Sequence, residues 1–172
     1  MVRMTIEGVG FDQQRQTVVV LRDWEGVKLL PIWIGPNEAR AIQIELEGAQ
    51  TPRPMSHDLM LSIIGVLNGR VTRVLINDLI DSTFYATIDI DTPKGTKSID
   101  ARPSDALAIA VRAKCPIYVD GGALEGLVEG DDTPKIEEVE GNVESIPEAL
   151  ELGVADDNEE EVQRFKRLLG ED

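Results

Sequence analysis

Cysteine and histidine are nearly missing from this sequence, with one of each among 172 residues. The single cysteine, Cys115, has no partner for an internal disulfide, so we expect a reducing, cytoplasmic environment. No second cysteine and no nearby histidine accompany it, which argues against a zinc site and against a Cys-His catalytic dyad. Chemistry at cysteine is therefore not expected.

Long apolar runs and familiar enzyme signatures are missing as well. The longest apolar stretch, around residues 59–67, is interrupted by serine and glycine and falls short of the roughly 18 residues that a membrane span needs. No basic segment followed by an apolar stretch opens the chain, so no secretion signal is expected. The P-loop, dinucleotide-binding, zincin and esterase patterns do not occur, which argues against these enzyme classes.

Positive charge is also scarce, because 17 basic residues stand against 32 acidic ones and give a net charge of −15. Most of this excess lies in residues 121–172, which hold 17 acidic and 4 basic residues. A chain with a pI near 4.4 is poorly suited to tight, non-specific duplex binding, since it has few cations to replace phosphate counterions. Most of its basic residues are arginines, which still permit local bidentate phosphate contacts.

The chain does contain one short pattern twice, as IGPNEARAI and, 67 residues later, as ARPSDALAI. In both copies an acid, Glu38 or Asp105, stands two residues after a proline. Proline costs no hydrogen bond at a first helical position, and an acid in the first turn faces the positive end of the helix dipole. Each copy therefore predicts a helix start, and an apolar hairpin precedes each.

This repeat predicts an α+β fold, an internally duplicated β-β-β-α single domain with mixed or antiparallel sheets and packed helices. The domain covers residues 1–120, with helices expected near residues 36–47, 56–67 and 103–114. Residues 121–172 are rich in acid, glycine and proline, which is typical of a loosely packed acidic tail. The tail is expected to end in a short amphipathic helix whose apolar face is formed by Val162, Phe165, Leu168 and Leu169.

The only histidine lies in the stretch RPMSHDL, at the predicted start of the second helix. One interpretation is catalytic, with His57 as a general acid or base or as a phosphate ligand, and Asp58 orienting it or holding a metal. The other is structural, with Ser56 as the N-cap and Asp58 as a favourable charge at the helix dipole. The residues alone favour the structural interpretation.

The stretch RPSD in the second half presents the same choice. Asp105 suits a metal or catalytic carboxylate, and Arg102 with the free amides of the first turn suits a phosphate, but ordinary capping explains both. Glu38 is the corresponding carboxylate of the first half. The two acids need not be close within one subunit, so a site shared between subunits is an alternative. Trp33 offers a stacking face, although an aromatic in an apolar strand is more often core.

Three blocks, LPIWIGPNEARAI, RPMSHDL and IDARPSDALAIAVRAKCPIYV, resemble the bifunctional nuclease domain family in their order and spacing. The resemblance covers roughly residues 1–120, and the closing EEEVQRFKRLLGED resembles the acidic terminal helix of prokaryotic members. It implies an α+β fold, oligomeric assembly, and DNase and RNase activity with little sequence preference. The polar positions that match are Glu38, Arg40, Arg53, His57, Asp58, Arg102, Ser104, Asp105 and Arg112.

Phosphodiester hydrolysis requires an activated water, charge stabilisation at phosphorus and assistance to the leaving oxygen. The catalytic groups expected for these tasks are His57, Asp58, Asp105 and Glu38. The phosphate-binding groups expected are Arg53, Arg102, Ser104, Arg40 and Arg112. Asp58 and Asp105 are the expected ligands if Mg²⁺ or Mn²⁺ takes part, and no organic cofactor is expected.

The sequence therefore favours a weak, non-specific nuclease of DNA and RNA that forms a homo-oligomer, a dimer or trimer, and does not use a membrane. The alternative is a non-enzymatic scaffold protein whose body oligomerises and whose acidic tail recruits a partner or mimics nucleic acid. A third account treats the acidity as solubility in a salty cytoplasm.

Overall fold

The computed structural model describes residues 1–129 and 137–138. Its three α-helices are α1 (Pro36–Leu46), α2 (Ser56–Val66) and α3 (Pro103–Ala113), and a short 3-10 helix covers Gly121–Gly126. The strands of this part of the chain, β1 to β9 in order, cover Val2–Phe11, Thr17–Asp23, Lys28–Trp33, Arg70–Ile80, Thr83–Thr92, Gly95–Ala101, Ile117–Val119, Val128–Glu129 and Glu137–Glu138.

These strands form one mixed sheet in the order β6-β5-β4-β7-β1-β2-β3-β8, and β9 pairs with β1. Three strands followed by a helix occur twice in the chain, as β1-β2-β3-α1 and β4-β5-β6-α3, with α2 between them. The short strand β7 joins the two sets, because it pairs antiparallel with β1 and parallel with β4. The α+β class expected from the sequence is confirmed.

The strands form where β-branched residues recur, and the interior strand β2 is apolar on both faces. Val19 and Leu21 belong to the main core, whereas Val18 and Val20 pack with Leu29 on the opposite face. A continuous apolar run is what a strand buried on both faces requires. The β4–β5 hairpin turns at two residues with left-handed backbone, Asp81 at φ 48° and Ser82 at φ 61°, the geometry that favours tight hairpins.

The main core lies between the sheet and the helices. Helix α3 is buried along most of its length, and its small residues Ala106, Ala108 and Ala110 leave room for close packing. Leu107 of α3 and Ile42 of α1 are fully buried. Packing of this kind holds the starts of α1 and α3 in fixed positions, and these starts carry the duplicated acids.

Helix α2 differs from what the sequence suggested. Met55, not Ser56, is the N-cap residue, and the carboxylate of Asp58 accepts a hydrogen bond from the Met55 N–H. The prediction that Ser56 is the N-cap is therefore wrong. The carboxylate of Asp58, three residues after Met55, already satisfies the free amide of Met55. The apolar residues of this helix are largely exposed, up to 81% for Val66.

Residues beyond the duplicated elements continue into the sheet. The 3-10 helix buries Ala123, and β8 pairs with β3. The expected terminal helix and most of the acidic tail lie outside the described residues. In the described part of the chain, no helix combines the length and apolarity needed to cross a membrane.

Candidate active site

Four polar side chains that are far apart in the sequence form one hydrogen-bonded chain at the helix starts. Arg102 donates from Nε to Asp105 Oδ2 at 2.7 Å and from NH1 to Glu38 Oε1 at 3.0 Å. Asp105 Oδ1 lies 3.2 Å from His57 Nε2. Glu38, Arg102, Asp105 and His57, called here the polar relay, therefore lie together within one subunit.

Local sequence explains how α1 and α3 present their acids. Gly35 and Arg102 are the N-caps, each is followed by proline, and Glu38 and Asp105 occupy the same position in the first turn. Pro103 fixes the helical entry, so that Arg102 is extended and its side chain reaches across both helix starts. A Cβ atom at Gly35 would meet Glu38 Oε2, so a larger residue there would require the Glu38 carboxylate to shift.

Burial and charge set the state of Asp105. Burial tends to raise its pKa, but hydrogen bonds from Arg102 and His57 outweigh burial and lower the pKa below its ordinary value. Asp105 is therefore a carboxylate at neutral pH and accepts from both neighbours. His57 is itself buried, with 8% of its surface exposed, and Asp105 is its one hydrogen-bond partner among the described residues.

A second ion pair joins α2 to α3 beside the polar relay. Arg112 donates from Nε to Asp58 Oδ1 at 2.7 Å and from NH1 to the Ala108 carbonyl at 2.9 Å. Burial tends to raise the pKa of Asp58, but hydrogen bonds from the Met55 amide and Arg112 lower it overall. The Arg112 side chain is only 4% exposed, so its geometry favours a brace between helices over contact with phosphate.

The other three residues expected to bind phosphate lie outside the polar relay. Arg40 lies exposed on α1, and Arg53 lies exposed on the segment before α2. Ser104 is buried in the first turn of α3. None of the three is hydrogen-bonded into the polar relay, so their parts in phosphate binding stay predictions.

A cleft of about 780 Å³ opens beside Arg102. Glu38, Arg102 and Ser104 line one part of it, and strands β3, β5 and β6 supply Trp33, Phe84, Tyr85 and Asp100. Glu125 of the 3-10 helix also lines it. Sequence reasoning missed Tyr85, Asp100 and Glu125, because no local pattern marks residues that strand pairing brings together.

The described residues do not fit the expected divalent cation well. They contain no group of three or more His, Cys, Asp or Glu side chains placed to hold a metal ion. Both oxygens of Asp105 already accept hydrogen bonds from Arg102 and His57, and both oxygens of Asp58 accept from Arg112 and the Met55 amide. Binding of Mg²⁺ or Mn²⁺ would have to break these bonds, so this expectation stays a prediction.

The arrangement resembles the general form of an activated acid–base group. A carboxylate that holds one ring nitrogen of a histidine fixes the orientation of the ring and stabilises its protonated form. The Arg102 side chain is 65% exposed, so an incoming anion can reach it. Arg102 can therefore bind an anionic centre, and the His57–Asp105 pair can exchange a proton.

Several known proteins are similar in sequence to this chain. The sequence profile of the bifunctional nuclease domain matches residues 19–126. An uncharacterised protein of Mycobacterium tuberculosis is 39% identical over 158 residues, which cover 88% of this chain and 94% of that protein. Bifunctional nuclease 2 of Oryza sativa subsp. japonica is 34% identical over 109 residues, 60% of this chain and 33% of the rice protein.

Bifunctional nuclease 1 of Oryza sativa subsp. indica is 28% identical over 112 residues, 63% of this chain and 34% of the rice protein. The chain thus spans about a third of each of these rice relatives. The profile match includes α1, α2, α3 and every residue of the polar relay. This chain belongs to the bifunctional nuclease domain family.

Proposed function

We propose that this protein is a nuclease that hydrolyses phosphodiester bonds of DNA and RNA with little sequence specificity. The observation that carries the proposal is the polar relay, which joins the only histidine of the chain to an exposed arginine through Asp105. Family membership and the names of the rice relatives support the same reaction class.

Arg102 is the proposed phosphate-binding group. Its guanidinium is exposed at the cleft and keeps its orientation through Asp105 and Glu38. A fixed guanidinium offers directed N–H donors to phosphate oxygens and stabilises the charge that builds up at phosphorus. Arg40 and Arg53 are exposed on neighbouring elements and are proposed to contact more distant phosphates of the polymer.

His57 is the proposed general base. Asp105 holds Nε2, which leaves Nδ1 to accept a proton from the attacking water. Positive charge then develops on the ring, and Asp105 stabilises it. The leaving oxygen departs on the side of phosphorus opposite the attacking water and takes its proton from solvent, and the protonated ring then releases its proton to solvent.

Low sequence specificity follows from what recognises the substrate. Phosphate contacts position a nucleic acid but carry no sequence information. The described residues offer no helix with a basic face for a major groove, and the whole chain has a net charge of −15. Weak binding that depends on a few local arginines is therefore proposed, with the phosphate common to DNA and RNA as its target.

A homo-oligomer is proposed from the surface of α2. Leu59, Ile63, Val66 and Leu67 are more than half exposed, and Met60 adds to the same helix. An exposed apolar patch of this kind marks an interaction surface. Because His57 lies in the first turn of α2, an assembly through this helix would cover the surface next to the candidate active site.

The second candidate is a non-enzymatic scaffold protein, and one observation favours it. Every carboxylate of the relay is already paired with an arginine or with His57, and such networks also occur as purely structural ties. In that account α2 forms the binding surface and the acidic tail recruits a partner.

Cleavage assays on highly purified protein distinguish the two candidates. Single-stranded DNA and RNA of the same length are incubated with the wild type, Arg102→Ala and the control Arg70→Ala, in which another exposed arginine is removed from β4. The nuclease account expects Arg102→Ala to lose cleavage of both substrates and Arg70→Ala to retain it. Equal cleavage by all three proteins would favour contamination and the scaffold account.

A further inference from the structure

We propose that the cleft beside Arg102 is a nucleobase subsite with a modest preference for bases carrying an exocyclic amino group, a group that adenine, cytosine and guanine share, so that the overall sequence specificity stays low. This inference rests on the proposed function, since it assigns the base of the nucleotide whose phosphate contacts Arg102. The base would stack on Trp33, and its amino group would face the carboxylates of Asp100 and Glu125.

Trp33 lines the cleft and is held by a hydrogen bond from its indole edge. Half of its surface is exposed, and its Nε1–H donates to Asp12 Oδ2 at 2.9 Å. Asp12 in turn accepts backbone hydrogen bonds from Gln14 at 2.9 Å and from Gln16 at 2.8 Å. The polar edge of the indole is therefore satisfied within the protein, and the position of the ring is fixed. A preoriented aromatic face of this kind stacks on any base.

Phe84 and Tyr85 extend the aromatic lining from strand β5. Tyr85 is 40% exposed. Phe84 packs so closely on Gly126 that a Cβ atom there would lie 2.5 Å from the ring. The cleft is therefore lined by aromatic groups from two separate strands, a shape and chemistry suited to a flat ring.

The charged residues that line the cleft indicate where the phosphate and the base would each bind. Glu38 is paired with Arg102 at the helix starts, whereas Asp100 and Glu125 form no ion pair with any residue that the structure describes. Two unpaired carboxylates repel a phosphate but accept hydrogen bonds from amino groups, as acidic side chains do with the cytosine amino group. The phosphate is therefore assigned to Arg102, and the base to the part of the cleft lined by Trp33, Asp100 and Glu125.

Tryptophan fluorescence tests this subsite without requiring cleavage. The chain has two tryptophans, so Trp24→Phe leaves Trp33 as the only reporter. CMP, UMP and ribose 5-phosphate are titrated at low salt into this variant. We expect saturable quenching by CMP at least about fivefold tighter than by UMP, which lacks the amino group, and no quenching by ribose 5-phosphate.

A double variant, Asp100→Asn with Glu125→Gln, tests the role of charge in the same background. It should remove the preference for CMP over UMP while Trp33 still reports binding, because amides donate as well as accept hydrogen bonds. Equal affinity for CMP and UMP before these substitutions, quenching by ribose 5-phosphate, or no saturable quenching at millimolar nucleotide would each overturn the subsite.

Adding His57→Gln separates this inference from the proposed nuclease function. If His57→Gln still binds CMP and the parent protein cleaves no faster than His57→Gln, the subsite is supported and the catalytic role of His57 is wrong. Cleavage that depends on His57 without base-dependent quenching would overturn the subsite alone.

Discussion

His57 Nε2 lies 3.2 Å from Asp105 Oδ1 although 48 residues separate the two side chains in the sequence. The contact joins the start of α2 to the start of α3 and links the histidine to Arg102 through a carboxylate whose pKa is lowered. A histidine with an ionised carboxylate on one ring nitrogen is oriented for proton transfer at the other.

Asp105→Asn is expected to lower turnover about 10²-fold or more, the scale of a lost acid–base contribution, with a smaller change in KM. The amide cannot stabilise a positive ring as the carboxylate does. Steady-state kinetics on single-stranded RNA measure both constants, and thermal unfolding checks that the fold persists. Turnover equal to that of the wild type in a folded variant would remove Asp105 from the mechanism.

Chelator is expected to leave most of the cleavage intact, because the oxygens of Asp105 and Asp58 are already bound by protein donors. The measurement compares cleavage in EDTA with cleavage in added Mg²⁺ or Mn²⁺. Complete loss in EDTA and recovery with either cation would instead support the sequence-based expectation of a metal held by Asp58 and Asp105.

Ile63→Glu is expected to shift the protein toward the monomer mass of 18.9 kDa, because a charge in the exposed apolar face of α2 opposes its burial. Light scattering after size exclusion measures the mass. Val27→Glu is the matched control, since Val27 is 53% exposed but lies outside α2. A wild type that already runs as a monomer at micromolar concentration would contradict the oligomer.

Stability is expected to fall on acidification partly through Asp89. Burial tends to raise its pKa, but hydrogen bonds from Ser98 at 2.6 Å and Arg73 at 2.5 Å lower it overall. A carboxyl group whose pKa is lower in the folded state than in the unfolded state stabilises the folded protein at pH values above the unfolded-state pKa of about 3.9. This stabilisation is lost as the pH falls through the folded-state pKa.

Urea unfolding at several pH values measures this effect. The free energy of unfolding of the wild type should decline more steeply below about pH 4 than that of Asp89→Asn, which has no carboxylate to protonate. Parallel declines in the two proteins would show that Asp89 does not contribute to acid sensitivity.

The sequence predicted the elements because their signals are local. Proline and acid at the starts of α1 and α3 and the β-branched strands can be identified without tertiary information, and the α+β class followed from their order. The predicted N-cap of α2, Ser56, was wrong. Met55, the observed N-cap, has no capping oxygen of its own, and the carboxylate of Asp58 accepts a hydrogen bond from its amide.

The candidate site was predictable only in part. Glu38, His57 and Asp105 were selected by residue type and position, but their connection depends on Arg102 spanning two helices that strand pairing brings together. Of the two alternatives for Trp33, the sequence favoured a core position over a stacking face, but the residue is half exposed, because an apolar strand at the edge of a cleft has the same sequence pattern as a buried one. The cleft walls come from distant strands, which no local pattern identifies.

Single-turnover cleavage of matched DNA and RNA strands by the wild type, His57→Gln and Arg70→Ala, purified in parallel, tests whether His57 is the general base. We expect His57→Gln to lose cleavage of both polymers to the same degree while remaining folded, and Arg70→Ala to cleave like the wild type. Cleavage by folded His57→Gln at the wild-type rate would show that His57 is not the general base.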